Sequence, residues 1–309
     1  MVLSVVIPSY NCAAWLRRAV ESAHRFIPGA VEVIVVDDGS TDETPELCRL
    51  LKAEFESLVV LRQPNGGLSS ARNLGAQRAT GSHLLFLDAD DELIPQPSDL
   101  FLPRDADMLQ ICMEEISTGH QVKWHHLEPL EPQTGAQYLN QCFAVGHFFT
   151  PSVAYVYRLD WYRAHQLSFR DGLLHEDMLF TVQALLVCRR LQRWPVPLYR
   201  YFRRQGSITS TEGAEHQRRR VASLGAIAKE LTALAPFHRT VDLGWWTLFV
   251  MDYAARIAGR GGGWRAHGLA VLMELRFLAL NRVWAPFRTR RAIRHRTRQR
   301  MQNLLSGRG

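Results

Sequence analysis

The chain lacks the marks of several common functions. Its five cysteines, Cys12, Cys48, Cys112, Cys142 and Cys188, are odd in number and none stands in a C-x-x-C pair. That argues against a disulfide framework and a zinc ribbon, and it fits a reducing compartment. No G-x-G-x-x-G follows the first apolar segment and no G-x-x-x-x-G-K-[ST] occurs anywhere. A dinucleotide dehydrogenase and a P-loop NTPase are therefore disfavoured. No run of about 20 uncharged apolar residues is present. The two apolar stretches, 241–258 and 267–287, are interrupted by Asp242, Asp252, Glu274, Arg276 and Arg282. A transmembrane helix is not expected. The opening MVLSVVIPSYN has no basic segment before an apolar core, so a secretory leader is not expected either. Carboxylates are missing from the end: residues 275–309 hold ten arginines and no acid, against 27 basic and 30 acidic residues in 1–274. The net charge of +7 thus belongs to the tail and speaks of the tail's partner.

What is there is a globular composition, 47% hydrophobic and 22% charged over 309 residues, enough for a large domain with an extension. Apolar runs at 2–7, 31–36, 58–62 and 83–87 read as buried strands. Between them, helical spacing covers 12–26, about 43–55 and part of 65–81. Continuous apolar strands alternating with amphipathic helices predict an α/β fold, a Rossmann-like, mostly parallel sheet with flanking helices. Beyond residue 95 the pattern loosens. Strand-like pieces lie at 107–113, 153–158 and 196–204, and 176–190 reads as a helix with acids at its start and arginines at its end. From about 215 onward helical segments dominate, the clearest being 218–234 and 267–284.

Two acidic clusters close apolar strands: Asp37–Asp38, and Asp88, Asp90 and Asp91. In a parallel α/β sheet ligands bind beyond the carboxyl ends of the strands. Carboxylates there are hard oxygen ligands for Mg²⁺ or Mn²⁺, and an ion held by one or two of them bridges to phosphates. The plainer reading is that these aspartates cap helices and form turns. Two clusters on one predicted edge favour the metal and a nucleotide diphosphate.

The segments LSVVIPSYN (3–11), VIVVDDGSTDET (33–44), NGGLSSARNLGA (65–76) and FLDADDEL (86–93) resemble, in order and spacing, the family 2 glycosyltransferases of the GT-A fold. The resemblance is strong over 1–95 and weaker to about 210. It implies an inverting transfer of a sugar from a nucleotide-sugar donor, usually a UDP-sugar, to an acceptor hydroxyl. By position, Pro8, Ser9 and Tyr10 would line the base pocket. Asp38, with Asp37, would face the uracil edge and Arg72 the nucleotide. Asp88, Ala89 and Asp90 form the D-x-D element on the donor. Asp90 would be the direct metal ligand, Asp88 would lie nearer the ribose, and Asp91 would support them.

A single displacement with inversion needs a general base on the acceptor hydroxyl. LLHEDMLF (173–180) resembles the family's E-D element, which makes Asp177 the base and Glu176 its orienting partner; His175 is left unassigned. Acids at a helix start are stabilising without any chemistry, which is the competing account. YRYFRRQGSITS (199–210) looks like the family's downstream loop, where Arg203 or Arg204 would reach the pyrophosphate and Ser207 would add a hydroxyl. Residues 282–309 fit a basic interfacial segment on anionic lipid, or a solvated tail; nucleic acid is not the expected partner.

These readings divide the chain into a GT-A catalytic domain, 1–212, and a helical C-terminal region, 213–309. Within the first, 1–95 would bind the nucleotide-sugar and 96–212 the acceptor. The implied setting is surface polysaccharide or glycan assembly, with a glycan or lipid-linked glycan acceptor. The protein would be cytoplasmic and peripheral on the inner face of a bacterial membrane. The alternatives are a nucleotidyltransferase, whose basic glycine-rich loop PSYNCAAWLRR does not supply, and a non-catalytic nucleotide-sugar-fold scaffold with a basic tail.

Overall fold

The structure, a computed structural model, describes residues 3–97, 103–117, 120–124, 131–145, 150–203 and 213–259. The predicted helix over 267–284 and the basic tail lie outside these residues, as do Arg204 and Ser207. The chain forms two compact units. One comprises 1–135, 149–172 and 180–207; the other comprises 136–148, 173–179 and 208–309.

The first unit begins with β1 (Leu3–Ser9), α1 (Ala13–Phe26), β2 (Val31–Asp37), α2 (Thr44–Glu54), β3 (Val59–Arg62), α3 (Leu68–Arg78) and β4 (His83–Phe86). β1 is buried along its whole length because both of its neighbours are strands and both of its faces are covered. α1 buries Leu16, Ala19, Val20, Ala23 and Phe26, the stripe expected of a helix lying on a sheet. α3 approaches more closely. A Cβ on Gly75 would come within 2.3 Å of Val6 Cγ1, so only glycine lets this helix lie against β1. β1 to β4 pair in parallel in the order β3-β2-β1-β4.

Beyond β4 the sheet is mixed, which narrows the parallel expectation to the first half. β5 (Glu92–Leu93), β6 (Met108–Ser117), β7 (His120–Trp124), β8 (Tyr155–Arg158) and β9 (Leu191–Phe202) extend the order to β4-β8-β6-β9-β5, with β7 on β6. Only β6 and β9 are parallel there; the remaining pairs are antiparallel. Two-residue β5 and hairpin strand β7 carry too little pattern to be read from sequence. α5 (Leu159–Ala164) is also short. Phe169 stacks on Phe180 at 3.9 Å between ring centroids and meets Phe86 edge-on at 5.2 Å, an aromatic core beside the end of β4. All five cysteines are buried thiols outside any disulfide.

The second unit holds α4 (Gly135–Val145) from Ala136, the start of α6 (Asp177–Val187), α7 (Ala214–Leu234) and α8 (Leu243–Gly259). α7 buries Leu224, Ile227, Ala228 and Leu231. α8 buries Trp246, Val250, Ala254 and Ile257, so the two helices form a hairpin on an i, i+4 apolar seam. Asn140 on α4 closes the α7–α8 connection, donating to the Thr240 carbonyl at 2.7 Å.

Candidate functional site

The carboxyl ends of β1, β2 and β4 present both acidic clusters on one edge. The loops after β1 and β2 are tied together. Asn11, in a left-handed conformation (φ 49°), accepts the Thr41 amide on Oδ1 at 2.8 Å. The Cys12 amide donates to Thr44 Oγ1 at 2.9 Å. Gly39 has φ 73°, and a Cβ there would come within 2.7 Å of the Asn65 amide nitrogen. The D-D-G-S turn therefore needs its glycine both for conformation and for space.

Asp37 and Asp38 are buried, at 1% and 3% exposure, and bound into this loop system. Asp37 Oδ1 accepts the Ser40 amide at 2.9 Å, and Oδ2 lies 3.3 Å from Arg62 Nε. Asp38 Oδ1 accepts from Gln63 Nε2 at 2.7 Å and from the Gly66 amide at 2.8 Å; its Oδ2 accepts the Gly67 amide at 2.8 Å. Asp38 thus holds the N-terminal turn of α3 in place. Pro8 and Ser9 are likewise beneath the surface, and the Ser9 hydroxyl contacts Cys12 Sγ at 2.8 Å. Only Tyr10 of that trio is exposed.

The cluster after β4 is built differently. Arg72, wholly buried on α3, reaches Asp88 Oδ1 at 2.9 Å, and its guanidinium lies 5.1 Å from the centroid of the Phe169 ring. The Asp88 side chain is nevertheless 34% exposed, so it faces outward past this partner. Ala89 and Asp91 are buried, and Asp90 is half-buried. Both oxygens of Asp91 are taken: Oδ2 accepts the Tyr199 hydroxyl at 2.6 Å and Oδ1 the Phe202 amide at 2.8 Å. Among the described residues no three acid, histidine or cysteine side chains converge as a metal cage. With both oxygens engaged, Asp91 anchors the loop from behind. Burial first, and then the charges of Asp88 and Asp90, push the Asp91 carboxyl well above the usual carboxylate range.

Three residues that the sequence reading missed brace the acidic loops, Tyr199 and Arg18 at the D-A-D-D turn and Gln63 at Asp38. Tyr199 on β9 donates to Asp91 and accepts the Asp88 amide at 3.2 Å, so one hydroxyl joins both ends of the D-A-D-D turn. Arg18 on α1 donates to the Asp90 carbonyl at 2.5 Å, pairs with Glu92 at 3.0 Å and stacks on Phe202 at 3.9 Å. Gln63 links Asp38 to Ser70 Oγ at 3.0 Å. Tyr199 and Arg18 are distant from the D-A-D-D turn in the chain, and only the tertiary fold brings them to it. Arg203, expected at the pyrophosphate, is paired with Glu115 on β6 at 3.0 Å and is 65% exposed.

In the second unit, Glu176 is buried and Asp177, half-buried, is the first residue of α6. The turn that leads into them is tight. His175 has φ 64°, and its carbonyl accepts the Met178 amide at 3.0 Å.

This arrangement has known counterparts. Residues 4–104 match the profile of glycosyl transferase family 2. They are a family 2 glycosyltransferase domain. The chain is 30% identical over 216 residues to YibD of Escherichia coli strain K12, called a glycosyltransferase; the match covers 67% of this chain and 63% of YibD. It is 38% identical over 115 residues to the chondroitin synthase of Pasteurella multocida strain Pm70, covering 37% of this chain and 11% of the synthase. Its fold matches that of Staphylococcus aureus TarS 1–349, determined in complex with UDP-GlcNAc, at a TM-score of 0.61 and 21% identity, over 99% of this chain and 92% of that one. The likeness to TarS shows the GT-A architecture of the fold.

Proposed function

We propose that the protein is an inverting glycosyltransferase that moves a sugar from a UDP-sugar to an acceptor hydroxyl in polysaccharide or glycan synthesis. The observation that carries this reading is the Asp88–Ala89–Asp90 turn at the end of β4. It points one carboxylate outward and is braced by Arg72, Tyr199 and Arg18. The family 2 match over 4–104 and the UDP and UDP-GlcNAc complexes of TarS support a UDP-sugar donor.

The donor set suits a hard dication. Asp88 and Asp90 offer carboxylate oxygens, and Arg72 pairs with only one oxygen of Asp88. Mg²⁺ or Mn²⁺ is ordinarily held by one or two carboxylates together with substrate phosphates. Asp90 and Asp88 would hold it, with Asp91 supporting, and it would neutralise charge growing on the departing diphosphate. Arg72 adds a fixed positive charge on the same side. Tyr10, at 49% exposure, is available to the nucleotide base. Asp38 acts on the nucleotide by shaping the Gly66–Gly67 turn.

The acceptor oxygen forms a bond to the anomeric carbon as the bond from that carbon to the diphosphate breaks. The acceptor's proton passes to the Asp177 carboxylate, oriented by Glu176. Arg203 and Ser207 would close on the pyrophosphate, for which Arg203 would have to leave Glu115. The acceptor is a glycan or lipid-linked glycan. Residues 282–309 would bring the enzyme to an anionic membrane face. No helix among the described residues is long and apolar enough to cross a membrane.

The test is calorimetry with UDP and UDP-GlcNAc, with and without Mn²⁺, followed by UDP release from UDP-GlcNAc. Binding that needs the metal and is lost in Asp90→Ala supports the donor site. Metal-independent binding of equal strength in that variant removes it. Asp177→Asn should keep binding and lose turnover; retained turnover would move the base elsewhere.

A further inference from the structure

His175 is the one member of the H-E-D segment without a role, and its surroundings are built. Arg220 on α7 is buried at 8% exposure and donates twice, from Nε to His175 Nε2 at 3.0 Å and from a terminal nitrogen to the Tyr253 hydroxyl on α8 at 3.0 Å. The His175 ring meets the Tyr253 ring edge-on at 5.5 Å. On either side of His175 the same two helices grip the backbone. Ser223 Oγ accepts the Leu174 amide at 3.0 Å, and Trp246 Nε1 donates to the Met178 carbonyl at 3.3 Å.

An arginine has donors only and does not lose its proton in a protein. His175 Nε2 must therefore offer its lone pair, and the imidazole carries its proton on Nδ1. A charged imidazolium would set N–H against N–H and cation against cation. The left-handed backbone of His175 (φ 64°) is uncommon outside glycine. Such a conformation persists only where its surroundings over-determine it.

We propose that Arg220, His175 and Tyr253 are a positioning cluster through which the α7–α8 hairpin holds the tight turn before Asp177, with His175 fixed as the uncharged Nδ1–H tautomer. The functional consequence rests on the role of Asp177 as base. The α7–α8 hairpin is then part of the catalytic apparatus and more than an accessory to acceptor or membrane binding. The titration of His175 agrees: burial, then Arg220, then His216 lower its pKa to about 4. The groups facing it are Arg220 and His216 from α7 and Tyr253 from α8, with Glu176 and Asp177 next in its own chain.

The experiment is ¹⁵N-histidine NMR on the full chain, with His175→Gln assigning the signal, combined with steady-state UDP release from UDP-GlcNAc and Mn²⁺. The expected spectrum has Nε2 unprotonated and Nδ1 protonated, unchanged from pH 8 down to about 5, consistent with a pKa of about 4. A proton on Nε2, or ordinary titration near 6.5, overturns the tautomer and the cluster with it. Arg220→Lys cannot serve both partners and should lower kcat about tenfold, with KM for UDP-GlcNAc within about twofold, because only the orientation of the turn is lost. Tyr253→Phe leaves the Arg220–His175 bond intact and guards against misfolding of the first variant; a drop of about threefold is expected. Wild-type kcat in both variants, with Asp177→Asn inactive, overturns the positioning role while the base reading stands. Turnover retained in Asp177→Asn defeats the base reading and with it the positioning of a base, while the spectrum still reports the tautomer.

Discussion

After β2, both oxygens of Asp38 accept backbone amides within 2.8 Å, and the residue is 3% exposed. After β4, on the other side of β1, Asp88 has a single buried arginine at 2.9 Å and a side chain 34% exposed. The two clusters are both built of aspartates and end parallel strands on either side of β1. One is taken up in shaping loops: its carboxylates are buried and met by backbone amides, the Gln63 side chain and the Arg62 guanidinium. The other is held from behind, by Tyr199, Arg18 and the buried Asp91, and keeps carboxylate charge at the surface. Acids at a strand end therefore do not announce a ligand; what counts is whether the local amides have already used them.

The contrast is broken most sharply by exchange of roles. Asp90→Ala should lower UDP release from UDP-GlcNAc on the order of a hundredfold or more, with the urea midpoint nearly unchanged. Asp38→Ala should act first on stability, because it strands two turn amides; a loss of about 3 kcal/mol in urea unfolding is expected. If Asp38→Ala leaves the midpoint alone and Asp90→Ala moves it, the assignment of fold and function is reversed. Tyr199→Phe removes the strut common to Asp88 and Asp91. It should cost about 1–2 kcal/mol and lower turnover about tenfold, visible as weaker Mn²⁺ activation. Arg203→Ala should cost about 1 kcal/mol, since Arg203 is 65% exposed but its partner Glu115 is buried and would lose a charged donor. A large loss of UDP affinity in that variant would mark Arg203 as a donor contact.

The His175 turn extends the contrast, because there a charge is excluded. Its pKa lies below the ordinary 6.5, at about 4, so the unfolded chain takes up the proton first as pH falls. The stability it contributes is complete above about 6.5 and is lost as pH drops toward about 4. His175→Gln should flatten that part of the stability–pH curve. An unchanged slope would mean that the imidazole is not held neutral by the fold.

Much of the first half is legible in the string of residues. The strands at 31–37 and 83–86, the helices at 13–26 and 44–54 and the acid pairs that follow strands are contiguous in sequence. Short-range pattern reports them because a parallel strand buried on both faces has to be apolar throughout. The same is true of the α6 start at Asp177 and of the α7 stripe. Three-dimensional structure decided the rest. β5 is too short to show a period, and the mixed pairing of β8, β6 and β9 depends on register. The fate of each carboxylate depends on side chains far along the chain: Tyr199 is 108 residues from Asp91, and Arg220 is 45 from His175. A carboxylate or an imidazole looks the same in sequence whether its charge is neutralised, exposed or excluded. That outcome is set by the donors that packing brings within about 3 Å.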